Sequence, residues 1–162
     1  MAHVDTSQRI ERTALEAFET ARDGLCELTV LMPNIASIEP LDRREDEGRI
    51  LRLDRWRAQA DGWLRRIVPD GLASWVVRSA WDPEQLRIDW KLIDVDAPID
   101  IACTGGIVLR ELHPGAMVAI EGHLHVLRTP LLVRRQWVEP RLMRMVEHNL
   151  VSFFAGVNRD AA

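Results

Sequence analysis

The chain has 162 residues, of which 47% are hydrophobic and 28% charged, with a formal net charge of −4. These values exclude an intrinsically disordered chain and argue against broad nucleic-acid binding, which draws on a basic surplus. The length fits one domain, residues 1–162, with a core large enough to need neither a metal nor a disulfide framework.

Residues 3 to 11 alternate, with Val4, Thr6, Gln8 and Ile10 opposed to Asp5, Ser7 and Arg9, and this predicts a strand. Thr13 and Glu16 have capping-box spacing, so a helix is expected next, with Leu15, Phe18 and Ala21 on one face. Gly24 interrupts it, a second short helix carries Leu25, Leu28 and Leu31, and Pro33 closes the pair.

From Asn34 to Arg128 the period is two, punctuated by Asp46-Glu47-Gly48, Asp82-Pro83-Glu84, Asp96-Ala97-Pro98 and His113-Pro114-Gly115. This predicts an antiparallel meander. Leu86, Ile88, Trp90 and Leu92 oppose Arg87, Asp89 and Lys91, so one face of that strand is wet. Val118, Ile120, Leu124 and Val126 oppose Glu121, His123 and His125 in the same way. Gly105-Gly106 within the strand from Ile99 to Leu112 predicts a bulge or sharp bend that curls the sheet. In the last 30 residues Met143, Val146, Leu150, Phe153 and Val157 recur at helical spacing, which predicts a long C-terminal helix over about 131–157, kinked at Pro140.

Cys26 and Cys103 form no CxxC pair, no signal-peptide pattern precedes them, and no apolar run approaches the roughly 18 residues of a membrane span. A reducing cytoplasm is the expected setting. Of 21 basic residues 20 are Arg, Tyr is absent and Trp occurs six times, a skew for which codon bias is the simplest source.

Several clusters invite a chemical reading. His123 and His125, at i and i+2, lie roughly 6.6 Å apart along a strand and can converge on one zinc ion, but Glu121 in line with them cannot easily join. No third ligand is evident on a neighbouring strand, so a polar convex face is the simpler reading. His148 fits a helix surface better than a general base. Around Arg49 to Arg57, Arg52, Asp54 and Trp56 share one face and Leu51, Leu53 and Arg55 the other, so the strand must either bury charge or expose Trp56. With Arg55 inward, it would bind a carboxylate or polar headgroup; outward, it is a surface arginine. Trp63 to Val68 and Leu131 to Trp137 each combine Trp, aliphatics and an Arg pair, a composition suited to a membrane interface and equally to ordinary lids with solvated arginines. No Ser-His-Asp order, nucleophile elbow, P-loop or Rossmann glycine pattern is present, and neither cofactor nor metal is expected.

The order strand, two short helices, curved antiparallel meander and long C-terminal helix resembles the helix-grip fold of the START-like, or SRPBCC, superfamily, an α+β architecture that includes polyketide cyclases and lipid-transfer domains. Local likenesses are Leu31-Met32-Pro33-Asn34-Ile35 running into Ile38-Glu39-Pro40-Leu41, Glu47-Gly48-Arg49, and Gly106 to Val126 with its His-Pro-Gly turn. The insertion Asp61 to Asp70 and the Val138-Glu139-Pro140 step look most like a bacterial branch of that superfamily.

The resemblance implies a cavity between the concave sheet and the last helix that holds an apolar ligand. Its lining would be Met143, Val146, Asn149, Leu150 and Phe153 of the helix against Trp90, Leu92, Ile107, Leu109, Ile120 and Leu124 of the sheet, with Arg55 at the mouth. The same apolar residues can instead interdigitate as a solid core. A non-enzymatic carrier of a lipid or polyketide-like molecule is the first expectation, with the two Trp and Arg segments flanking the mouth and meeting a membrane. An aromatase or cyclase using Arg55, Ser79, Thr104 or Asn149 is the alternative, and a protein-interaction module resembling chaperone-activator domains of that superfamily is a third.

Overall fold

The alternation at the start of the chain becomes β1 (Ala2–Ile10), with Val4 and Ile10 buried and Asp5, Ser7 and Arg9 in solvent. The computed structural model describes residues 1–59, 62, 65 and 73–159. Thr13 caps α1 (Ala14–Gly24): its Oγ1 accepts the Glu16 N–H at 3.3 Å, and Glu16 Oε2 accepts the Thr13 N–H at 3.3 Å. The capping box is therefore reciprocal. The buried stripe of α1 is Ala14, Ala17, Phe18 and Ala21, and Leu15 faces outward at 49% exposure, which corrects the expected face. Three alanines bring the helix axis close to the sheet and leave Phe18 as the side chain that fills the gap. The second short helix is 3₁₀ (Glu27–Leu31).

Six further strands follow: β2 (Ile35–Asp46), β3 (Arg49–Ala58), β4 (Ser74–Asp82), β5 (Arg87–Asp96), β6 (Asp100–Glu111) and β7 (Ala116–Arg128). Among the described residues they join β1 in one antiparallel sheet of order β1-β7-β6-β5-β4-β3-β2. The expected turn sequences fall between consecutive strands. Glu47 and Gly48 take positive φ angles of 49° and 79° at the β2–β3 hairpin, and Asp82 Oδ1 accepts the N–H groups of Glu84 and Gln85 at 3.0 Å each. Leu86 belongs to that second turn, with φ 48°, so the strand begins one residue later than its alternation suggests.

Pro40 lies in edge strand β2 beside a register shift between Pro40 and Asp42, where a missing N–H does little harm and the strand is turned. The bulge expected at Gly105-Gly106 is absent: β6 pairs there with both β5 and β7 without a shift. Those glycines serve a neighbour instead, because a Cβ at Gly105 would come within 2.6 Å of Trp90 Cε2 and 2.5 Å of the Glu121 carbonyl oxygen. The Trp90 ring thus lies against the bare backbone of the next strand.

The chain ends in α2 (Arg135–Arg159), one helix with Pro140 inside it. It starts four residues later than expected because residues 131–134 form a closed turn, in which Thr129 Oγ1 donates to the Val133 carbonyl at 2.7 Å and the Val133 N–H donates to the Pro130 carbonyl at 2.9 Å. The helix packs on β1, β7, α1 and the 3₁₀ helix. Gly156 makes the last of these approaches possible, since a Cβ there would meet Leu31 Cδ2 at 2.5 Å. Among the described residues no helix is long and apolar enough to cross a membrane.

Candidate functional site

The concave face of β3 to β7 and the inner face of α2 do not close completely on one another. Between them lies a cavity of about 170 Å³, far above the roughly 10–15 Å³ that one water requires. Four tryptophans, Trp56, Trp75, Trp81 and Trp90, line it on the sheet side, and Met145, Val146, Leu150 and Phe153 line it on the helix side. Each tryptophan is there by strand parity. Trp75, Val77, Ser79 and Trp81 alternate along β4, and Arg52, Asp54 and Trp56 alternate along β3, so a two-residue period sends all of them inward. Trp81 is fixed twice: its Nε1 donates to Ser79 Oγ at 2.9 Å, and its ring meets Phe18 edge-on at 5.7 Å. The indole N–H groups of Trp56 and Trp90 are buried with no hydrogen-bond partner among the described residues, so packing alone holds those rings.

Three polar side chains interrupt the apolar wall: Asp54, Ser79 and Asn149. Asn149 Oδ1 accepts the backbone N–H of Asn34 at 3.1 Å and Asn34 Nδ2 at 3.3 Å. Both partners are donors, which fixes the amide oxygen on their side and leaves the Asn149 Nδ2–H groups as the donors of a side chain that borders the cavity. Ser79 accepts from Trp81 and so keeps its hydroxyl proton to donate.

Asp54 is held differently. Arg52 Nη2 donates to Asp54 Oδ1 at 2.9 Å and Arg52 Nε to Oδ2 at 3.1 Å, a two-pronged pair whose side chains are only 6% and 2% exposed. Arg52 Nη1 also donates to the Arg22 carbonyl in the last turn of α1 at 3.0 Å, and Nη2 reaches Cys26 Sγ at 3.4 Å. One guanidinium thereby ties the C-terminal end of α1 to the floor of the sheet. Burial opposes the Arg52 charge, but the hydrogen bonds and charge of Asp54 outweigh it, leaving its pKa above the ordinary arginine value. Burial pushes the Cys26 thiol up, and the nearby Arg52 charge offsets this only in part. Strand β3 thus resolves its conflict of faces by burying charge, with Trp56 inside.

The residues expected at a cavity divide into two groups. Trp90, Leu92, Ile107, Leu124, Val146, Asn149, Leu150 and Phe153 line it, and so does Ser79. Leu109, Ile120 and Met143 do not. Leu109 and Ile120 face inward but lie under α1, packed in the cluster that holds Ala14 and Phe18. Met143 sits over Gly122 beside Val4 and fills the space that a side chain at Gly122 would take. Arg55 is not at an inner mouth: it points to the outer face and lies 3.8 Å from Glu39 Oε2. Thr104 is exposed on the same side, and His148 is exposed on α2. Sequence reasoning missed Trp56, Trp75, Trp81 and Asp54 as lining residues, although the period of β4 carried the signal for Trp75 and Trp81.

The convex face accounts for the histidines. His3 and His123 are cross-strand neighbours with rings 4.7 Å apart, Glu121 lies 3.6 Å from Arg87 Nη2, and His125 Nδ1 lies 3.0 Å from Glu139 Oε1. Among the described residues no group of three metal-ligating side chains comes together. Of the two Trp and Arg segments, Trp63 to Val68 lies outside the described residues except for Arg65. Leu131 to Trp137 is divided between the turn of residues 131–134 and the first residues of α2.

No family model matches the sequence, and no curated protein is similar to it in sequence. Similarity appears in the fold. The aromatase/cyclase Zhui from a Streptomyces species superposes with a TM-score of 0.74 at 17% identity, over 99% of this chain and 93% of that one. Ara h 8.0201 does so at 0.68 and 14% identity, over 96% and 97% of the two chains. The di-domain aromatase/cyclase BexL is similar at 0.65 and 15% identity over 98% of this chain and 46% of its own length. At such identities the likeness is one of fold, and that fold is a helix grip: a curved antiparallel sheet closed around a long C-terminal helix.

Proposed function

We propose that the cavity binds a hydrophobic small molecule with an aromatic, polyketide-like ring system bearing acceptor oxygens. The observation that carries this reading is the lining of four tryptophans. Flat indole faces favour stacked or edge-on aromatic partners over a solid aliphatic fill, by about 0.5–1.5 kcal/mol per pair beyond area burial. The Asn149 amide and the Ser79 hydroxyl supply two donors in an otherwise apolar wall, the pattern that orients a ligand without binding it tightly through charge. The volume is close to that of an engineered apolar cavity of about 150 Å³ that takes benzene. A space of this size suits one or two rings or a short alkyl chain.

The test is solvent extraction of freshly purified protein followed by mass spectrometry, paired with titration of tryptophan fluorescence by 1-naphthol. A bound aromatic molecule or saturable quenching is expected, weakened by roughly threefold to tenfold in Asn149→Ala and in Ser79→Ala. An empty extract together with no saturable quenching refutes the proposal.

A second reading, an aromatase or cyclase, is favoured by the same two polar groups, since ring closure of a folded poly-β-ketone needs positioned groups to polarise carbonyls and pass protons. Structures with this fold include the aromatase/cyclases Zhui and BexL. Arg55 and Thr104 have no part in it, as both lie on the outer face. The discriminating assay follows ring formation from a poly-β-ketone mimic by absorbance. A rate equal to the uncatalysed one in wild type, with binding intact, leaves a carrier.

A further inference from the structure

The turn between β7 and α2 presents apolar side chains where a folded domain ordinarily hides them. Leu131 and Leu132 are 104% and 97% exposed, Trp137 61% and Leu127 49%. This is no loose end of chain. Thr129 and Pro130 close the turn onto Val133, which packs inward beside Val138 and Leu142, so the turn is anchored by one apolar residue while its neighbours project into solvent. Along this stretch of sequence the charge is one-sided, although Asp100 of β6 is the cross-strand partner of Arg128. From Leu127 to Arg144 the sequence holds five arginines and a single acid, in a chain whose net charge is −4. That acid, Glu139, is turned inward, accepting the Val126 N–H at 2.9 Å and the Met1 ammonium at 2.8 Å. Arg134 lies over the Trp137 ring at 5.5 Å, so cation and aromatic are presented together.

We propose that this tip docks the protein on an anionic lipid surface, with Leu131 and Leu132 entering the headgroup boundary and Arg134 and Arg135 facing the phosphates. Charge complementarity selects this occupant. A second copy of the same tip would bring arginines against arginines, whereas an anionic membrane satisfies them while it buries the leucines and seats Trp137 at the interface.

The test is co-sedimentation with vesicles of equal parts phosphatidylglycerol and phosphatidylcholine, against phosphatidylcholine alone, at low and at roughly 0.15 M salt. Wild type is expected to sediment with the anionic vesicles, less at the higher salt. Each arginine near such a surface contributes about fivefold, so Arg134→Glu with Arg135→Glu is expected to weaken association more than about 100-fold. Leu131→Ser with Leu132→Ser is expected to keep the salt-dependent attraction but lose roughly tenfold or more in affinity. All four side chains are exposed, and circular dichroism checks that each variant is folded. Absence of wild-type sedimentation, or equal sedimentation of wild type and both variants, overturns the proposal. So does concentration-dependent dimerisation in analytical ultracentrifugation that the leucine variant abolishes, which would assign the tip to a second copy. None of these outcomes bears on ligand binding, which the extraction and quenching experiments read separately.

Discussion

Replacing Asp54 by Ala strips Arg52 of its counter-charge in a place where water cannot substitute. The Arg52 side chain is 6% exposed, its Nη1 is committed to the Arg22 carbonyl, and the remaining donors of the fork point at a carboxylate that would no longer exist. Breaking one partner of a buried pair typically costs about 3–5 kcal/mol, because the surviving ion keeps its desolvation penalty. At roughly 2–4 °C per kcal/mol for a chain of this size, the melting temperature should fall by about 6–20 °C. Arg52→Met alone should cost a similar amount, since it leaves Asp54 buried and unpaired. The double variant Arg52→Met with Asp54→Leu removes both charges and fills their volume, so it should lie within about 1–2 kcal/mol of wild type once the lost bond to Arg22 is counted. The cycle is read from urea melts of the four proteins, with an expected coupling of about 3 kcal/mol or more. Single variants that each cost under about 1 kcal/mol, or a double variant as unstable as the sum of the two, would show that the pair is solvated and would refute the reasoning.

Gly105→Ala drives a methyl into the Trp90 ring and the Glu121 carbonyl, so it should destabilise by about 1–3 kcal/mol in urea melts and alter naphthol quenching as Trp90 is displaced. An unchanged melt and unchanged quenching would mean that Trp90 does not rest on that backbone. Hydrogen bonds from the Met1 ammonium and the Val126 N–H hold the Glu139 carboxyl below the usual carboxylate range. A folded pKa below the unfolded one contributes stability above the unfolded value, about 4.3, that is lost as pH falls through the folded one. The urea midpoint of Glu139→Gln should therefore lie below wild type at pH 7 and converge on it in acid; a gap independent of pH would contradict this. Burial pushes the Cys103 thiol up to about 12, so iodoacetamide at pH 8 should label it only after denaturation, as read by peptide mass spectrometry. Rapid labelling of the native protein would contradict the burial.

Parity along a strand is legible in letters, and it placed Trp90, Leu92, Ile107 and Leu124 on the concave face. Position along the strand relative to the covering helices is not. Leu109 and Ile120 obey the same parity and point the same way, yet α1 lies over them and they belong to solid core. Nothing in a two-residue period says where a helix from elsewhere in the chain will land. The same limit explains Met143, whose helical spacing marks it as inward but whose neighbours, Val4 and Gly122, are set by how α2 lies across β1 and β7. The conflict on β3 was visible in the sequence as a choice between burying charge and exposing Trp56. Deciding it required Arg22 and Cys26, which lie 30 and 26 residues away and meet Arg52 only in the folded chain. The tryptophan count, which composition alone assigns to codon usage, acquires a structural account once β3, β4 and β5 are seen to turn four of those rings toward one space.

That space is itself costly. At about 24 cal/mol per Å³ of unfilled volume, 170 Å³ forgoes about 4 kcal/mol. Domains commonly stand only about 5–15 kcal/mol above unfolding, so this is a large fraction of the total. Filling it would be simple in sequence terms, since Val77 and Ser79 border the cavity and are small enough to grow. The chain instead keeps small side chains beside four large rigid rings, which brace the walls without closing the middle. A sheet curved around a helix leaves a gap wherever the helix cannot follow it, and side-chain choice decides whether that gap becomes core or cavity. Over the half covered by α1, alanines and Phe18 closed it; over the half facing Met145, Asn149 and Leu150, tryptophans hold it open. The division of labour between the two halves, and not the fold alone, is what supports a ligand-binding role.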